Sequence, residues 1–326
     1  MLSFDKINKE KEKNKPLISL YKQSDFNFDY KLDPKIKKED KILYYDTNND
    51  LNINWSDDDK SDKSDDENNE FLLIDDLEID KNKYLPYPYI PDKPFIKLLI
   101  TGASGVGKST LMCNILKMMM NKLDGNLFVL YYTPNNIDLP IQKYFKKIFN
   151  GNCLMISPNL IKKTLENNLK TQNKKIKLIF TLEDIHQLQK QKNCPVVCVY
   201  DDVEGTVDND IKQLFLKSMK EVLVMGRARD NKNQSNISTI IINHKPLQGN
   251  ATSDAFNEAT YIGIHLKSIS TTHIVEILKN KIGYDDTTIK QILKLKKRNA
   301  GMCIFSKSYP YHVMIHGDNP SILLQL

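Results

Sequence analysis

The chain has 326 residues, 40% of them hydrophobic and 27% charged, with a formal net charge of +6. Its mean hydropathy of -0.47 implies that part of the chain cannot bury a core. No apolar stretch approaches the roughly 20 residues that span a bilayer, which argues against a membrane-embedded helical protein. The charge is unevenly divided: residues 1–93 carry 16 basic and 23 acidic side chains, and the remainder 31 basic and 18 acidic, a net of +13. A basic body suits a polyanionic partner such as nucleic acid. The first residues are charged and lack an apolar run, so no secretory signal is expected. The five scattered cysteines, Cys113, Cys153, Cys194, Cys198 and Cys303, fit a reducing compartment.

Residues 1–83 read as a largely disordered acidic arm. WSDDDKSDKSDDENNE, from Trp55 to Glu70, is an acidic low-complexity run that buries too little apolar area to offset chain entropy. Phe71 to Ile79 regains apolar character and suits a short docking element. Residues 84–94, YLPYPYIPDKP, hold four prolines and read as an extended linker.

From residue 95 to 266 strands alternate with helices. Phe95–Thr101, Leu127–Tyr132, Leu154–Ser157, Pro195–Tyr200, Ile237–Ile242 and Tyr261–Leu266 are short apolar runs that suit buried strands. Leu111, Ile115, Met118, Met119 and Leu123 have helical spacing, and Ile211 to Val224 is amphipathic. The pattern predicts an α/β fold with a mainly parallel sheet flanked by helices. Residues 267–326 are expected to add two helices and a hairpin, Met302–Phe305 with His312–Ile315, packed on this core.

GASGVGKS, from Gly102 to Ser109, fits the phosphate-loop pattern G-x-x-x-x-G-K-[ST], between an apolar strand and an amphipathic helix. Its glycines allow successive backbone N–H groups of Gly102, Ala103, Ser104, Gly105, Val106 and Gly107 to face phosphate. The helix directs its positive end at the same anion, at Ser109 and Thr110. Lys108 brings a cation to the β- and γ-phosphates, and the Ser109 hydroxyl can ligate magnesium. The expected ligand is ATP with Mg2+, in a P-loop NTPase fold.

VVCVYDDVEG then places Asp201 and Asp202 at the end of a strand, on the ligand side of a parallel sheet. Asp201 suits magnesium. Asp202 suits a general base that polarises attacking water, with Glu204 in reserve. Adjacent acids favour water attack over transfer to a bound acceptor.

Only three of the 47 Lys+Arg residues are arginine: Arg227, Arg229 and Arg298. Arg227 and Arg229, in MGRAR, suit a bidentate contact with transferring phosphate across a subunit boundary. Arg298 ends the basic stretch KQILKLKKR, which suits nucleic-acid phosphate or a neighbouring subunit.

The segment Gly226 to Pro246, GRARDNKNQSNISTIIINHKP, taken with the phosphate loop and the DD strand end, resembles the FtsK/HerA superfamily of DNA-pumping ATPases. Within it, the segment looks most like the genome-packaging ATPases of poxviruses and other large DNA viruses. The likeness covers residues 95 to 266. In that family the strand after the arginines ends in a polar sensor, usually glutamine; here NHKP follows, and His244 stands in its place beside Asn243. The resemblance implies ATP hydrolysis, a homo-oligomeric ring, double-stranded DNA as the track and capsid or portal proteins as partners. It also implies residence in the host cytoplasm, viral factory or virion. Two other readings compete with a motor: a nucleotide-gated scaffold with slow hydrolysis, and a small-molecule P-loop kinase.

Overall fold

A run such as FIKLLIT or PVVCVY has apolar side chains on both faces of a strand, so a sheet built from such runs needs cover on both sides. The computed structural model describes residues 2–3, 14–22, 41–46, 71–72, 84–88, 95–134, 139–149, 151–170, 178–225, 237–244, 250–297, 300–307, 312–317 and 321–325. Its strands are β1 (Leu2–Ser3), β2 (Asn14–Lys22), β3 (Lys41–Asp46), β4 (Phe71–Leu72), β5 (Tyr84–Pro88), β6 (Lys97–Thr101), β7 (Phe128–Tyr132), β8 (Cys153–Ile156), β9 (Val196–Asp201), β10 (Ser238–Asn243), β11 (Tyr261–His265), β12 (Ala300–Ser306), β13 (His312–Gly317) and β14 (Ser321–Gln325). Its helices are α1 (Lys108–Lys122), α2 (Leu139–Phe149), α3 (Pro158–Lys170), α4 (Leu182–Lys192), α5 (Asn209–Met225), α6 (Asn250–Glu258), α7 (Thr271–Glu276) and α8 (Asp286–Lys297).

A ten-stranded sheet runs in the order β4-β14-β13-β12-β11-β6-β10-β9-β7-β8. From β8 to β11 all neighbours are parallel. From β11 to β4 they are antiparallel. The parallel half is the expected α/β core. The C-terminal hairpin extends the same sheet edge-on, and gains a third strand, β14.

The strand alternation sorts the core into two layers. Leu98, Ile100, Val129, Val199, Ile240 and Ile242 face one side, with Ile115 and Met119 of α1 and Phe145 of α2. Leu99, Leu130, Tyr132, Cys198, Tyr200 and Ile241 face the other, with Ile185 of α4, Phe215 of α5 and Phe256 of α6. Tyr132 stacks on Tyr200 at 4.6 Å between ring centroids, which fills this second layer with flat aromatic surface.

The described parts of the N-terminal 94 residues form strands. β2, β3 and β5 pair antiparallel, with β1 at the edge, in a four-stranded sheet of order β1-β3-β2-β5. Sequence from both sides of residue 83 thus joins one small sheet. Ile18 and Leu20 of β2 and Tyr87 of β5 are buried in the α1 layer. The Tyr87 hydroxyl accepts from Asn114 Nδ2 of α1 at 3.1 Å, and its ring meets His316 of β13 edge-on at 4.5 Å. His316 donates from Nε2 to the Pro86 carbonyl at 2.5 Å, and burial pulls its imidazole down to about 4. Apolar side chains such as Ile18 and Leu20 thus find cover that the average composition conceals. The acidic run Trp55–Glu70 lies outside the described residues, as does all but Phe71–Leu72 of the Phe71–Ile79 element. Among the described residues no helix is long and apolar enough to cross a membrane.

Candidate nucleotide site

The phosphate loop leaves the C-terminal end of β6 and enters α1 at Lys108. Gly105 and Gly107 take φ of +78° and +89°, a region that disfavours other residues, and Gly107 caps α1 in the left-handed conformation. A Cβ on Gly102 would sit 2.9 Å from Ser268 Oγ and 3.2 Å from Val106 Cγ2, so a side chain there meets its neighbours. Ala103, Ser104, Gly105 and Gly107 are exposed, while Val106, Ser109 and Thr110 are partly buried. Beyond Ala103 the exposed loop backbone lies ahead of a helix N-terminus, an arrangement that suits an anion.

Lys108 is buried, and its Nζ donates to Gly102 O at 2.8 Å and Ala103 O at 2.6 Å. It also lies 3.1 Å from His244 Nδ1. Burial pulls its ammonium below the usual lysine range, opposed by the charges of Asp201 and Asp202.

β10 lies between β6 and β9 and ties their ends together. Gly102 N donates to Asn243 O at 3.4 Å, and Asp202 N donates to Ile242 O at 2.9 Å. Asn243 and His244 thus sit between the phosphate loop and the acidic turn. Asp201 ends β9 and accepts from the Tyr131 hydroxyl of β7. Burial pushes its carboxyl above the ordinary carboxylate range, the Tyr131 bond pulls it back, and Asp202 pushes it up again. Asp202 has φ of +48°, an αL conformation that Asp tolerates better than most residues, and it opens a short 3-10 turn over Val203–Gly205. A Cβ on Gly205 would meet Asp202 Oδ2 at 2.8 Å, so that glycine makes room for the carboxylate. Asp202 Oδ2 lies 3.9 Å from His244 Nε2. Glu204 lines a small cavity with Asp202 and Asn243.

Hard oxygen donors at Ser109 and Asp201 fit magnesium, and a desolvated carboxylate gains from a counter-ion. Among the described residues no three His, Cys, Asp or Glu side chains cluster as a metal site. Mg2+ is commonly held by one or two carboxylates plus substrate phosphates, and the donors present suit that mode.

Two groups here escape sequence reasoning. Tyr131 reads as a core residue in an apolar strand, yet it positions Asp201. Ser268 Oγ accepts from Ala103 N at 3.3 Å and donates to His265 O at 2.9 Å, which braces the loop from the far side of β6. Arg227, Arg229 and Arg298 lie outside the described residues. Ile237, which follows the Arg227–Arg229 segment, precedes β10 at the end of the strands away from the phosphate loop, about 16 Å of strand from it.

No family model and no curated protein matches the chain. Among solved structures, it is similar to ATPases 2 and 3 of Thermomonospora curvata EccC, with 14% identity and a TM-score of 0.33 over 55% of this chain. The chain spans 31% of that EccC chain. It is similar to B204, the DNA-packaging ATPase of Sulfolobus Turreted Icosahedral Virus, with 11% identity and a TM-score of 0.39 over 70% of this chain and 98% of B204. It is also similar to the pCW3 conjugation coupling protein TcpA bound to ATPγS, with 11% identity and a TM-score of 0.36 over 74% of this chain and 62% of TcpA.

Proposed function

We propose that this chain binds ATP with Mg2+ at Gly102–Ser109, hydrolyses its β–γ phosphoanhydride, and spends that energy moving double-stranded DNA in viral genome packaging. One observation carries the hydrolytic part. The ends of three adjacent strands, β6, β10 and β9, bring Lys108, His244 and the pair Asp201–Asp202 within reach of one another. In this reading the backbone N–H groups and Lys108 hold the phosphates, and Ser109 and Asp201 hold the metal. His244 and the acidic turn after β9 together activate water. The metal, when bound, neutralises charge on the phosphate oxygens.

The DNA part is supported by the +13 net charge of residues 94–326 and by the likeness of Gly226–Pro246 to DNA-pumping ATPases. Arg227 or Arg229 acts on a neighbouring subunit's nucleotide, as in a ring of identical subunits. Capsid or portal proteins complete the proposed assembly. The test is steady-state ATP turnover of the full chain with and without double-stranded DNA, over a salt series. Stimulation that fades steeply with salt is expected. A rate indifferent to DNA at every salt concentration overturns the motor and leaves the ATPase standing.

A further inference from the structure

We infer that the proton of the attacking water passes to His244 Nδ1, with Asp202 as a positioning residue behind the ring and Lys108 as the gate. The inference rests on the proposed hydrolysis at this site and assigns its base. A lysine ammonium only donates, so its approach to His244 Nδ1 at 3.1 Å makes that nitrogen an acceptor. The proton of the neutral ring is then on Nε2, which faces Asp202 Oδ2 at 3.9 Å. This is the tautomer that a base needs: a free lone pair on the Lys108 side and a carboxylate behind to stabilise the imidazolium.

In the structure that lone pair is occupied by Lys108, whose other contacts are the Gly102 and Ala103 carbonyls. All three acceptors are neutral. A triphosphate offers Lys108 charged oxygens, and charge-assisted bonds are roughly twice as strong as neutral ones. When Lys108 turns to phosphate, Nδ1 is freed toward the space where the γ-phosphate arrives. The base is thus released by substrate. Asp202 stands one ring further from Lys108. The charged groups facing His244 among the described residues are Lys108 from α1, Asp201 from the end of β9 and Asp202 from the turn after it.

The step balances. An O–H bond of water breaks and its proton goes to Nδ1. The water oxygen bonds to the γ-phosphorus. The bond from γ-phosphorus to the β–γ bridging oxygen breaks, and its electron pair leaves on ADP. The imidazolium then returns its proton to the released phosphate or to solvent.

The test measures binding of a non-hydrolysable ATP analogue and turnover of MgATP for the full chain and its variants. His244→Gln and His244→Ala should bind the analogue within about threefold of the wild type and lose about 10²-fold or more in turnover. Added imidazole should restore His244→Ala by at least about tenfold. Asp202→Asn should slow turnover less than His244→Ala does, because the carboxylate acts only through the ring. Turnover of His244→Gln near the wild-type rate, failure of imidazole rescue, or a loss with Asp202→Asn as large as with His244→Ala, each overturns the inference. A wild type that binds no nucleotide overturns the proposed function instead.

Discussion

The phosphate-loop strand has a buried lysine at each end, and the two have opposite surroundings. Lys97, at the start of β6, is fully buried, and its Nζ donates to the Leu223 carbonyl near the end of α5 and pairs with Glu258 of α6 at 3.1 Å. A cation at a helix C-terminus, completed by a carboxylate, is a closed structural arrangement. Lys108, just past the other end, has only neutral acceptors in direct contact, with the nearest carboxylates one ring away. A buried cation without an anion in contact is costly. One lysine fastens two helices to the sheet, while the other, under the proposed function, is held in place for a phosphate.

Exchanging the two roles should fail, and the single variants show why. Lys108→Ala should lower ATP turnover by about 10²–10³-fold. It should leave the melting temperature unchanged or raised, since burial already disfavours that ammonium. A steady-state assay beside a thermal melt separates the two effects. Lys97→Ala should do the reverse. Loss of a buried partner costs about 3 kcal/mol, read from urea midpoints, while the folded fraction keeps its affinity for nucleotide. Lys97→Met keeps the apolar stem and should cost less than the alanine variant.

Asp201 sharpens the same contrast on the acidic side. Its folded pKa lies above the unfolded one, so the folded state holds the proton more tightly. Stability without nucleotide should therefore fall as pH rises through the ordinary carboxylate range and up to the raised folded value. Asp201→Asn removes that cost and should raise the melting temperature at pH 7 by a few degrees, while magnesium-dependent turnover collapses. A melting temperature that falls would show that Asp201 is a structural ion like Lys97.

The parts of this site built from neighbouring residues are legible in the sequence. Gly102 to Ser109 is a local pattern between a strand and a helix, and both elements stand where the hydrophobic runs put them. The parallel core is legible for the same reason: apolar runs such as VVCVYD need cover on both faces. Contacts formed by distant residues are not. Ser268 reaches Ala103 across 165 positions, and nothing local marks it. Lys97 interrupts an apolar run, a signal that its partners explain only once α5 and α6 are in place. α4 carried a readable start, since Thr181 and Asp184 form a capping box, but its few apolar residues hide the helical period. The strands β2 and β3 are short apolar islands whose signal is diluted by the lysine-, asparagine- and aspartate-rich sequence around them.

The central claim is that Lys108 and its loop bind a nucleoside triphosphate. Calorimetric titration of a magnesium-bound, non-hydrolysable ATP analogue into the full chain and into Lys108→Ala tests it most directly. The account predicts one site per chain in the wild type and an affinity at least about a hundredfold weaker in the variant, a difference of about 3 kcal/mol. Equal affinity in the two, or no binding to the wild type, would contradict it.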